Sequence, residues 1–188
     1  MSLQYSEAKV EVIDGKEIMM SPPAFSNHNR VKGNVYHVFK TYLKNNICEP
    51  FVDGQKVVLP SQKKGDYIVP DFFVLCDRSK IKQDGVHGAP DLVAEVLSLK
   101  TAKMDRGMKK DLYELNGVKE YWIIEPDNKS IEIYLLKSGV YEISAVYQVL
   151  NVEQEEAGED IISSFAVNLF PDMIVKLDDI FEYVTSWQ

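Results

Sequence analysis

Residues 67–75 read Tyr-Ile-Val-Pro-Asp-Phe-Phe-Val-Leu, and residues 91–97 read Asp-Leu-Val-Ala-Glu-Val-Leu. Both runs are almost continuously apolar, a pattern typical of strands that are buried on both faces of a sheet. Each run nevertheless contains one acid in its interior, Asp71 in the first and Glu95 in the second. Because an ionised carboxylate without a partner is costly to bury, we interpret these acids as parts of a site. The two strands are consecutive in the chain, so we expect them to be neighbours whose carboxylates converge on one point.

The segments around these strands predict an α/β (α+β) domain. Apolar residues at helical spacing predict a first helix over residues 26–45 and a second from Thr101 to Asn116. Further predictions are an N-terminal hairpin with its turn at Asp14-Gly15, a strand near 51–59, a loop over 77–89, a strand over 120–125 with a hairpin partner over 131–136, and a final helix near 177–186. The order helix, three strands, helix, strand indicates a central mixed sheet with additional N- and C-terminal strands. The length favours a single domain over residues 1–188.

Composition and cysteine content narrow the class of protein. Apolar residues make up 45% of the chain, but no run approaches the roughly 18 apolar residues of a membrane-spanning helix, so no membrane association is expected. Residues 1–9 lack the basic start and the apolar block of a signal peptide, which favours a cytoplasmic location. Cys48 and Cys76 each stand alone in apolar surroundings, so we expect packed, reduced thiols that form neither a disulfide framework nor a metal site.

Charge is unevenly distributed along the chain. The net charge is −8, yet residues 1–150 hold 20 basic and 20 acidic residues, whereas residues 151–188 hold Lys176 against nine acids. We therefore expect the acidic C-terminal part, including residues 153–160, to lie away from the carboxylate site. The densest basic stretch surrounds the start of the second helix and consists of Lys100, Lys103, Arg106, Lys109 and Lys110, with Asp105 as its one acid. Such a stretch is either a set of nucleic-acid phosphate contacts or a solvated helix face.

The motifs of several common enzyme classes do not occur in this sequence. It contains no G-x-S-x-G, Walker A, G-x-G-x-x-G, H-E-x-x-H or C-x-x-C pattern. What remains is the pair Asp71 and Glu95, and two carboxylates that face each other are commonly held together by a divalent cation. The second helix adds Asp105, Lys109 and Tyr113 at intervals of four residues, which places them on one helix face.

A lysine that points from this helix face toward the carboxylates would supply a cation for phosphodiester cleavage. Simpler alternatives stay open, with Asp105 and Lys109 as a surface ion pair and Tyr113 as a core residue. His28, near the start of the first helix, is either an acid/base or phosphate contact at the mouth of the site or a helix cap or surface residue. Ser98 either supports the carboxylate site or begins the lead-in to the second helix.

These residues lie in segments that resemble the motifs of the Uma-type putative restriction endonuclease family, a branch of the PD-(D/E)XK nuclease superfamily. The similar segments are Pro70-Asp71, residues 95–98 (EVLS), residues 105–109 (DRGMK), Tyr113, residues 117–122 (GVKEYW) and, near the N-terminus, residues 13–15, residues 20–23 and His28. The resemblance runs from residue 10 to residue 180. It implies a restriction endonuclease-like core of helix, three strands, helix and strand.

The resemblance also implies roles for individual residues. Asp71 matches the PD acid and Glu95 the (D/E) acid, which implies that both bind a catalytic Mg²⁺ or Mn²⁺ ion. The superfamily pattern places a lysine two residues after the second acid, but this sequence has no lysine there. The resemblance therefore implies that the lysine role has moved to the second helix at Lys109, with Lys100 and Lys110 as rivals.

Two functional hypotheses follow. In the first, the protein is a metal-dependent endonuclease that hydrolyses phosphodiester bonds of nucleic acid, expected to be DNA, with Asp71, Glu95 and Lys109 as catalytic residues. In the second, it is a non-catalytic binding or assembly module that retains the nuclease fold, as the missing strand lysine and the net charge of −8 suggest. A small-molecule phosphohydrolase is a third alternative that would need a closed pocket. Nucleases that cut both strands of a duplex commonly act as dimers, so we expect a homo-oligomer.

Overall fold

The structure is a computed structural model that describes residues 10–19, 26–98, 101–150 and 162–185. Three sequence predictions fall on residues outside these ranges: the role of Lys100, the placement of residues 153–160, and the very end of the predicted C-terminal helix. None of the helices within the described ranges is both long and apolar enough to cross a membrane.

Short strands and a few helices form the described part of the chain. The strands are β1 (Val10–Ile13), β2 (Lys16–Met19), β3 (Glu49–Val52), β4 (Val57–Val58), β5 (Phe72–Leu75), β6 (Ile81–Lys82), β7 (Gly85–His87), β8 (Leu92–Val96), β9 (Glu120–Glu125), β10 (Ser130–Lys137), β11 (Val140–Gln148), β12 (Ser164–Val167) and β13 (Phe170–Lys176). The helices are α1 (Ser26–Tyr42), α2 (Ala102–Met104), α3 (Lys110–Leu115) and α4 (Leu177–Ile180), with a 3₁₀ turn at Arg78–Lys80. A π-helical turn, Asp105–Lys109, joins α2 to α3, and we refer to the continuous stretch of residues 102–115 as the site helix.

The centre of the fold is a six-stranded mixed sheet with the strand order β11-β10-β9-β8-β5-β3. β8 and β9 are parallel and are connected by the site helix, whereas the other neighbouring strands are antiparallel. A parallel pair needs a crossover connection, so the predicted succession of strand, helix and strand is what allows β9 to lie beside β8. The prediction of an α/β fold with a central mixed sheet is confirmed.

Side chains of the central sheet fill two separate apolar cores, because successive residues of a strand point to opposite faces. On one face Phe72 packs against Phe39 of α1, with ring centres 4.9 Å apart. On the other face Phe73 belongs to a core that includes Tyr113 of the site helix. Asp71 is two residues from Phe73 and shares its face, so the predicted site lies on the face of the sheet that the site helix covers.

The N-terminal hairpin of β1 and β2 docks beside the same face. Asp14 and Gly15 have φ angles of 54° and 73°, as the predicted two-residue turn requires. Two backbone hydrogen bonds of 2.9 Å join Val12 to Tyr67. Gly15 N donates a further hydrogen bond to Asp66 Oδ1 at 3.1 Å. These contacts hold the hairpin in a defined position.

Cys48 and Cys76 form a disulfide, so the prediction of two free thiols is wrong. β3 and β5 are antiparallel with Glu49 opposite Leu75, and one step further along this register Cys48 stands opposite Cys76. The two cysteines are 28 residues apart in sequence, so no local motif indicates the pairing. Only the register of the two strands brings the thiols together.

Two further predictions about elements are wrong. Residues 77–89 are not a plain loop, because β6 and β7 form a small three-stranded sheet with β4. These strands are only two or three residues long, too short for a visible alternation of apolar residues. The helix predicted near 177–186 ends at Ile180, and Tyr183 has a φ of 59°, a left-handed conformation through which a helix does not continue.

Candidate active site

Asp71 and Glu95 meet across two neighbouring strands. β5 pairs with β8 in an antiparallel register that sets Phe72 opposite Ala94, so Asp71 stands opposite Glu95 one step further. Directly opposed residues point their side chains to the same face of a sheet. The Asp71 backbone N donates to Glu95 Oε2 at 3.3 Å, and the Val96 backbone N donates to Asp71 Oδ2 at 3.0 Å. The fold thus brings the two acids singled out in the sequence to one place.

Lys109 of the site helix reaches these acids. Its Nζ lies 3.1 Å from Glu95 Oε1, 3.0 Å from Glu11 Oε1 and 3.5 Å from Asp105 Oδ1. The side chain of Lys109 is completely buried, and Asp105 is buried beside it. The interpretation of Asp105 and Lys109 as a surface ion pair is therefore wrong. Lys109 is instead an ammonium enclosed by three carboxylates.

The site helix contains a π-helical turn, Asp105–Lys109, that carries two buried residues of the cluster. Turns of this kind are rare and occur frequently at functional sites. Asp105 and Lys109, the first and last residues of this turn, are buried, whereas Arg106 and Met108 between them are exposed. Tyr113 follows one turn later and is also buried. One helix face therefore lines the site and the opposite face meets solvent, as the spacing of four predicts.

Tyr113 combines the two roles that the sequence left open. It is a fully buried core residue, and its hydroxyl donates a 2.6 Å hydrogen bond to Glu95 Oε1. Tyr121 of β9 packs beside it and donates from its hydroxyl to the Asp105 backbone oxygen at 2.9 Å. Burial, together with the charge of Glu95, raises the pKa of both tyrosines well above the usual value, so both hydroxyls stay protonated donors. The two hydroxyls thus fix the Glu95 carboxylate and the first residue of the π-helical turn.

Glu11 is a site residue that the sequence reasoning missed. It lies on β1 of the N-terminal hairpin and is completely buried. Its Oε1 accepts a hydrogen bond from Val69 N at 2.9 Å and also contacts Lys109 Nζ. The alternation of β1 fits either Val10 and Val12 or Glu11 and Ile13 as the inward face. The structure turns Glu11 and Ile13 inward. The signal in the sequence is the two-residue spacing between Glu11 and the apolar Ile13.

The electrostatics of the cluster favour a charged lysine. Burial by itself lowers the pKa of Lys109, but the carboxylates of Glu95, Glu11 and Asp105 outweigh burial and hold this pKa well above its usual value. Asp105 shows the opposite balance, because burial raises its pKa and the nearby Lys109 only partly opposes that effect. The raised pKa keeps Lys109 protonated at neutral pH, while Asp105 takes up a proton more readily than an exposed aspartate.

His28 marks the side of the cluster that is nearest to solvent. Its Nε2 lies 3.3 Å from Asp71 Oδ2, and the two side chains are 19% and 9% exposed, whereas the side chains of Lys109 and Glu11 are at 0%. A ligand entering from solvent therefore meets His28 and Asp71 first. Ser98 bonds with Thr101, through Oγ to Oγ1 at 3.0 Å, at the lead-in to the site helix.

Most of the described basic stretch faces away from the carboxylates. Lys103 is exposed, and Arg106 pairs with Glu132 at 2.5 Å on β10. Lys110 lies with its Nζ 4.1 Å from the centre of the Tyr134 ring. Among the described residues of this stretch, Lys109 alone points into the cluster, and the rest lie on the outer face of the site helix.

The donor set fits a hard divalent cation. Within the described residues, the carboxylates of the cluster outnumber its lysine; they belong to Glu11, Asp71, Glu95 and Asp105. Glu11 Oε2 is buried without a hydrogen-bond partner in this part of the chain. Across the described ranges no three His, Cys, Asp or Glu side chains are arranged as a preformed metal cage. Mg²⁺ is usually bound through one or two carboxylates plus waters and substrate phosphates, so the pair Asp71 and Glu95 fits this ion.

The arrangement of strands and helices is one already seen in a solved structure. The chain is similar to a crystal structure from Anabaena variabilis ATCC 29413 that is described as "a putative nuclease belonging to DUF820", with a TM-score of 0.70 and 20% sequence identity. The match covers 97% of this chain and 95% of the other. At this identity the likeness establishes a shared fold. The two proteins thus share a mixed α/β fold with a central mixed sheet.

The chain belongs to the Uma2 family, whose model, described as "Putative restriction endonuclease", matches residues 1–169. The resemblance seen in the sequence motifs is therefore confirmed. Two uncharacterised proteins of Synechocystis sp. are also similar. One, sll1609, is 28% identical over 129 residues, which cover 67% of this chain and 71% of that protein. The other, slr1290, is 29% identical over 136 residues, which cover 70% of each.

Proposed function

We propose that this protein is a divalent-metal-dependent endonuclease that hydrolyses phosphodiester bonds in DNA. The observation that carries the proposal is the buried ammonium of Lys109, 3.1 Å from Glu95, on the face of the sheet where Glu95 and Asp71 oppose each other. Acids on neighbouring strands with a lysine beside them are the groups that metal-assisted phosphodiester hydrolysis uses. The Uma2 family description supports the same reaction class.

Asp71 and Glu95 would hold the metal ion, Mg²⁺ or Mn²⁺. When bound, such an ion lowers the pKa of a coordinated water and counters negative charge on the phosphate. Glu95 is fixed for this task, because Tyr113 and Lys109 both donate to its Oε1 at 2.6 and 3.1 Å. Its other oxygen, Oε2, faces the Asp71 backbone N at 3.3 Å. The second carboxylate oxygen is therefore directed toward Asp71.

Lys109 would stabilise the charge that develops on the phosphate and orient the attacking water. A preorganised cation in a site with little water is worth far more than one in solvent, because nothing has to reorganise when the charge develops. The surrounding carboxylates keep Lys109 protonated, which meets this requirement. His28, on the more exposed side of Asp71, is placed to contact the phosphate as it enters.

We further propose that the active form is a homo-oligomer. The chain has a net charge of −8, and most of its described basic residues near the site are already paired or packed. A polyanion is held through several phosphate contacts, so one subunit offers a weak grip on a duplex. Two copies related by a two-fold axis would double those contacts and present one site to each strand. Light scattering coupled to gel filtration measures the mass directly.

The experiment that tests the proposal is cleavage of supercoiled plasmid DNA in Mg²⁺ or Mn²⁺, together with calorimetric titration of each metal. We expect cleavage by the wild type, none in chelator, and loss of both cleavage and metal binding in Asp71→Asn. Asp111→Asn is the matched control, because Asp111 is an exposed acid on the site helix. The thermal melting of each variant reports folding.

The proposal would be overturned if the wild type, with every divalent metal tested, cleaved none of the three substrates: plasmid, single-stranded DNA and RNA. Retained DNA binding without cleavage would then favour the non-catalytic module. Cleavage that is confined to RNA would overturn the choice of DNA and leave the reaction class in place.

A further inference from the structure

We infer that Glu11, on the N-terminal hairpin, is a positioning residue that holds the Lys109 ammonium where the reaction needs it. This inference rests on the proposed nuclease function. The hairpin is then the third structural element that contributes a carboxylate around Lys109, because the other two carboxylates come from β8 and from the helix of Lys109 itself.

The contact between Glu11 and Lys109 is as close as any that the lysine makes. The distance from Nζ to Glu11 Oε1 is 3.0 Å, and both side chains are completely buried. The same Oε1 accepts the Val69 backbone N at 2.9 Å, so the carboxylate is anchored to the segment that leads into β5. A charged hydrogen bond between fully buried partners is directional and is not screened by solvent.

The geometry explains why one more partner is needed. Lysine carries its charge on a flexible four-carbon stem, so its ammonium is not placed by the backbone alone. Glu95 and Asp105 attract it toward the strand and along the helix, and Glu11 attracts it toward the hairpin. Sharing the ammonium among the three keeps Lys109 from pairing with Glu95 alone, the acid that is proposed to hold the metal.

A cost to stability also argues that Glu11 is there for function. Its Oε2 is buried and has no hydrogen-bond partner within the described residues. A buried carboxylate oxygen without a partner is destabilising, and an apolar residue would fill this inward position of β1 more favourably. Local rules of stability are broken in this way mainly at functional sites.

The hairpin holds Glu11 through contacts that do not involve the site. The Val12 and Tyr67 backbones exchange two hydrogen bonds, and Gly15 N bonds Asp66. A variant that changes only the charge of Glu11 therefore leaves the docking of the hairpin intact. Glu11→Gln is such a variant, because its amide oxygen can still accept from Val69 N.

The test compares Glu11→Gln with the wild type and with Glu17→Gln, an exposed acid on the other strand of the same hairpin. The first measurement is the rate at which an amine-acylating reagent modifies Lys109 in the metal-free protein, read by mass spectrometry with Lys110 as internal reference. We expect Lys109 to be modified at least tenfold faster in Glu11→Gln than in the wild type. In Glu17→Gln we expect the wild-type rate. Hydrogen exchange at the Tyr67 and Val69 amides, unchanged in both variants, verifies that the hairpin stays docked.

The second measurement is plasmid cleavage in Mn²⁺. We expect kcat to fall about 10–100-fold in Glu11→Gln, the range for partners that orient a site group, with KM and calorimetric Mn²⁺ affinity unchanged. A fall in Mn²⁺ affinity would overturn the inference, because Glu11 would then act as a metal ligand. Unchanged kcat or an unchanged Lys109 modification rate would overturn it as well.

The two measurements separate this inference from the proposed function. A wild type without cleavage activity overturns the nuclease proposal, while the modification rates of Lys109 still decide whether Glu11 positions the ammonium. For such an inactive wild type, faster modification of Lys109 in a Glu11→Gln variant that melts at the wild-type temperature supports the positioning of the ammonium by Glu11. If Glu11→Gln unfolds, Glu11→Asp serves as the second variant, because its shorter side chain withdraws the carboxylate from Lys109. A wild-type rate of Lys109 modification in Glu11→Asp would overturn the inference.

Discussion

Lys109 Nζ lies 3.1 Å from Glu95 Oε1, although the two residues belong to different elements and stand 14 positions apart. A lysine two residues after Glu95 would have left β8 on the same face of the sheet, since side chains alternate along a strand. Here that position is Leu97, which is buried. The site helix instead packs on that face of the sheet, and its Lys109 places an ammonium beside the Glu95 carboxylate.

The first prediction concerns the three lysines that compete for the catalytic role. Lys109→Ala should lower plasmid cleavage in Mn²⁺ by about 10²–10³, the usual effect of removing one preorganised group. Lys110→Ala should cleave at the wild-type rate, because Lys110 packs on the ring of Tyr134 outside the cluster. Lys100→Ala completes the set. Equal activity in all three variants would contradict the assignment, and loss only in Lys100→Ala would move the role to that residue.

The free energy of unfolding should also fall more in Lys109→Ala than in Lys110→Ala. Removing Lys109 leaves Glu11, Glu95 and Asp105 buried together without their cation, and breaking a buried pair in this way costs about 3–5 kcal/mol of the free energy of unfolding. Lys110→Ala should cost about 1 kcal/mol, because Lys110 is half-buried and its ammonium contacts the ring of Tyr134. Urea unfolding of the metal-free proteins measures both, and Lys109→Met retains the volume if the alanine variant does not fold. Equal midpoints for Lys109→Ala and wild type would show that the cluster contributes nothing.

Tyr113→Phe isolates the hydrogen bond to Glu95. The ring keeps its place in the core, and only the hydroxyl that donates at 2.6 Å is removed. A hydrogen bond to a charged group is worth about 1.5–3 kcal/mol, so the free energy of unfolding should fall by an amount in that range. We also expect slower cleavage, because Glu95 loses one of the two donors on its Oε1. Tyr121→Phe is the matched control, because the Tyr121 hydroxyl donates to a backbone oxygen of the site helix and not to Glu95.

Alkaline unfolding should be driven by buried tyrosines. Burial, followed by the hydrogen bond to Glu132, raises the pKa of Tyr134 to about 12, and burial raises the pKa of Tyr113, Tyr121 and Tyr141 as well. Because the unfolded chain ionises near pH ~10, the folded state holds more protons above that pH, and stability falls as pH rises toward 12 and beyond. The stabilising contribution is complete below pH ~10.

Ultraviolet absorbance of tyrosinate during a pH jump measures this release. We expect these four tyrosines to ionise together with unfolding, and Tyr134→Phe to remove one of them from that step. Ionisation of all tyrosines before any loss of circular dichroism would contradict the prediction.

The disulfide gives a prediction that is independent of the site. Cys48 and Cys76 close a loop with a sequence separation of 28, and the chain-entropy model assigns such a loop about 3–4 kcal/mol of stabilisation. Cys48→Ser should therefore unfold at lower urea than the oxidised wild type, and reduction of the wild type should bring it to the same midpoint. Reductant should leave Cys48→Ser unchanged. Two titratable thiols in the folded, unreduced protein would show that the bond does not form.

Local patterns in the sequence were enough for much of this molecule. The apolar runs around Asp71 and Glu95 predict two buried strands, helical spacing predicts α1 and the site helix, and Asp14-Gly15 predicts the hairpin turn. These are properties of neighbouring residues, because strand and helix periods and turn conformations depend on positions two to four apart. The same spacing of four placed Asp105, Lys109 and Tyr113 on one face.

The tertiary structure alone decided which residues complete the site. β1 could have turned either set of alternate side chains inward, and only its docking along Tyr67 brings Glu11 to Lys109. In the same way, strand register pairs Cys48 with Cys76, and Glu132 of β10 forms an ion pair with Arg106 outside the carboxylate cluster. Each of these contacts joins segments far apart in the chain. A local pattern carries no record of them, because their energy arises only when the sheet closes and buries both partners together.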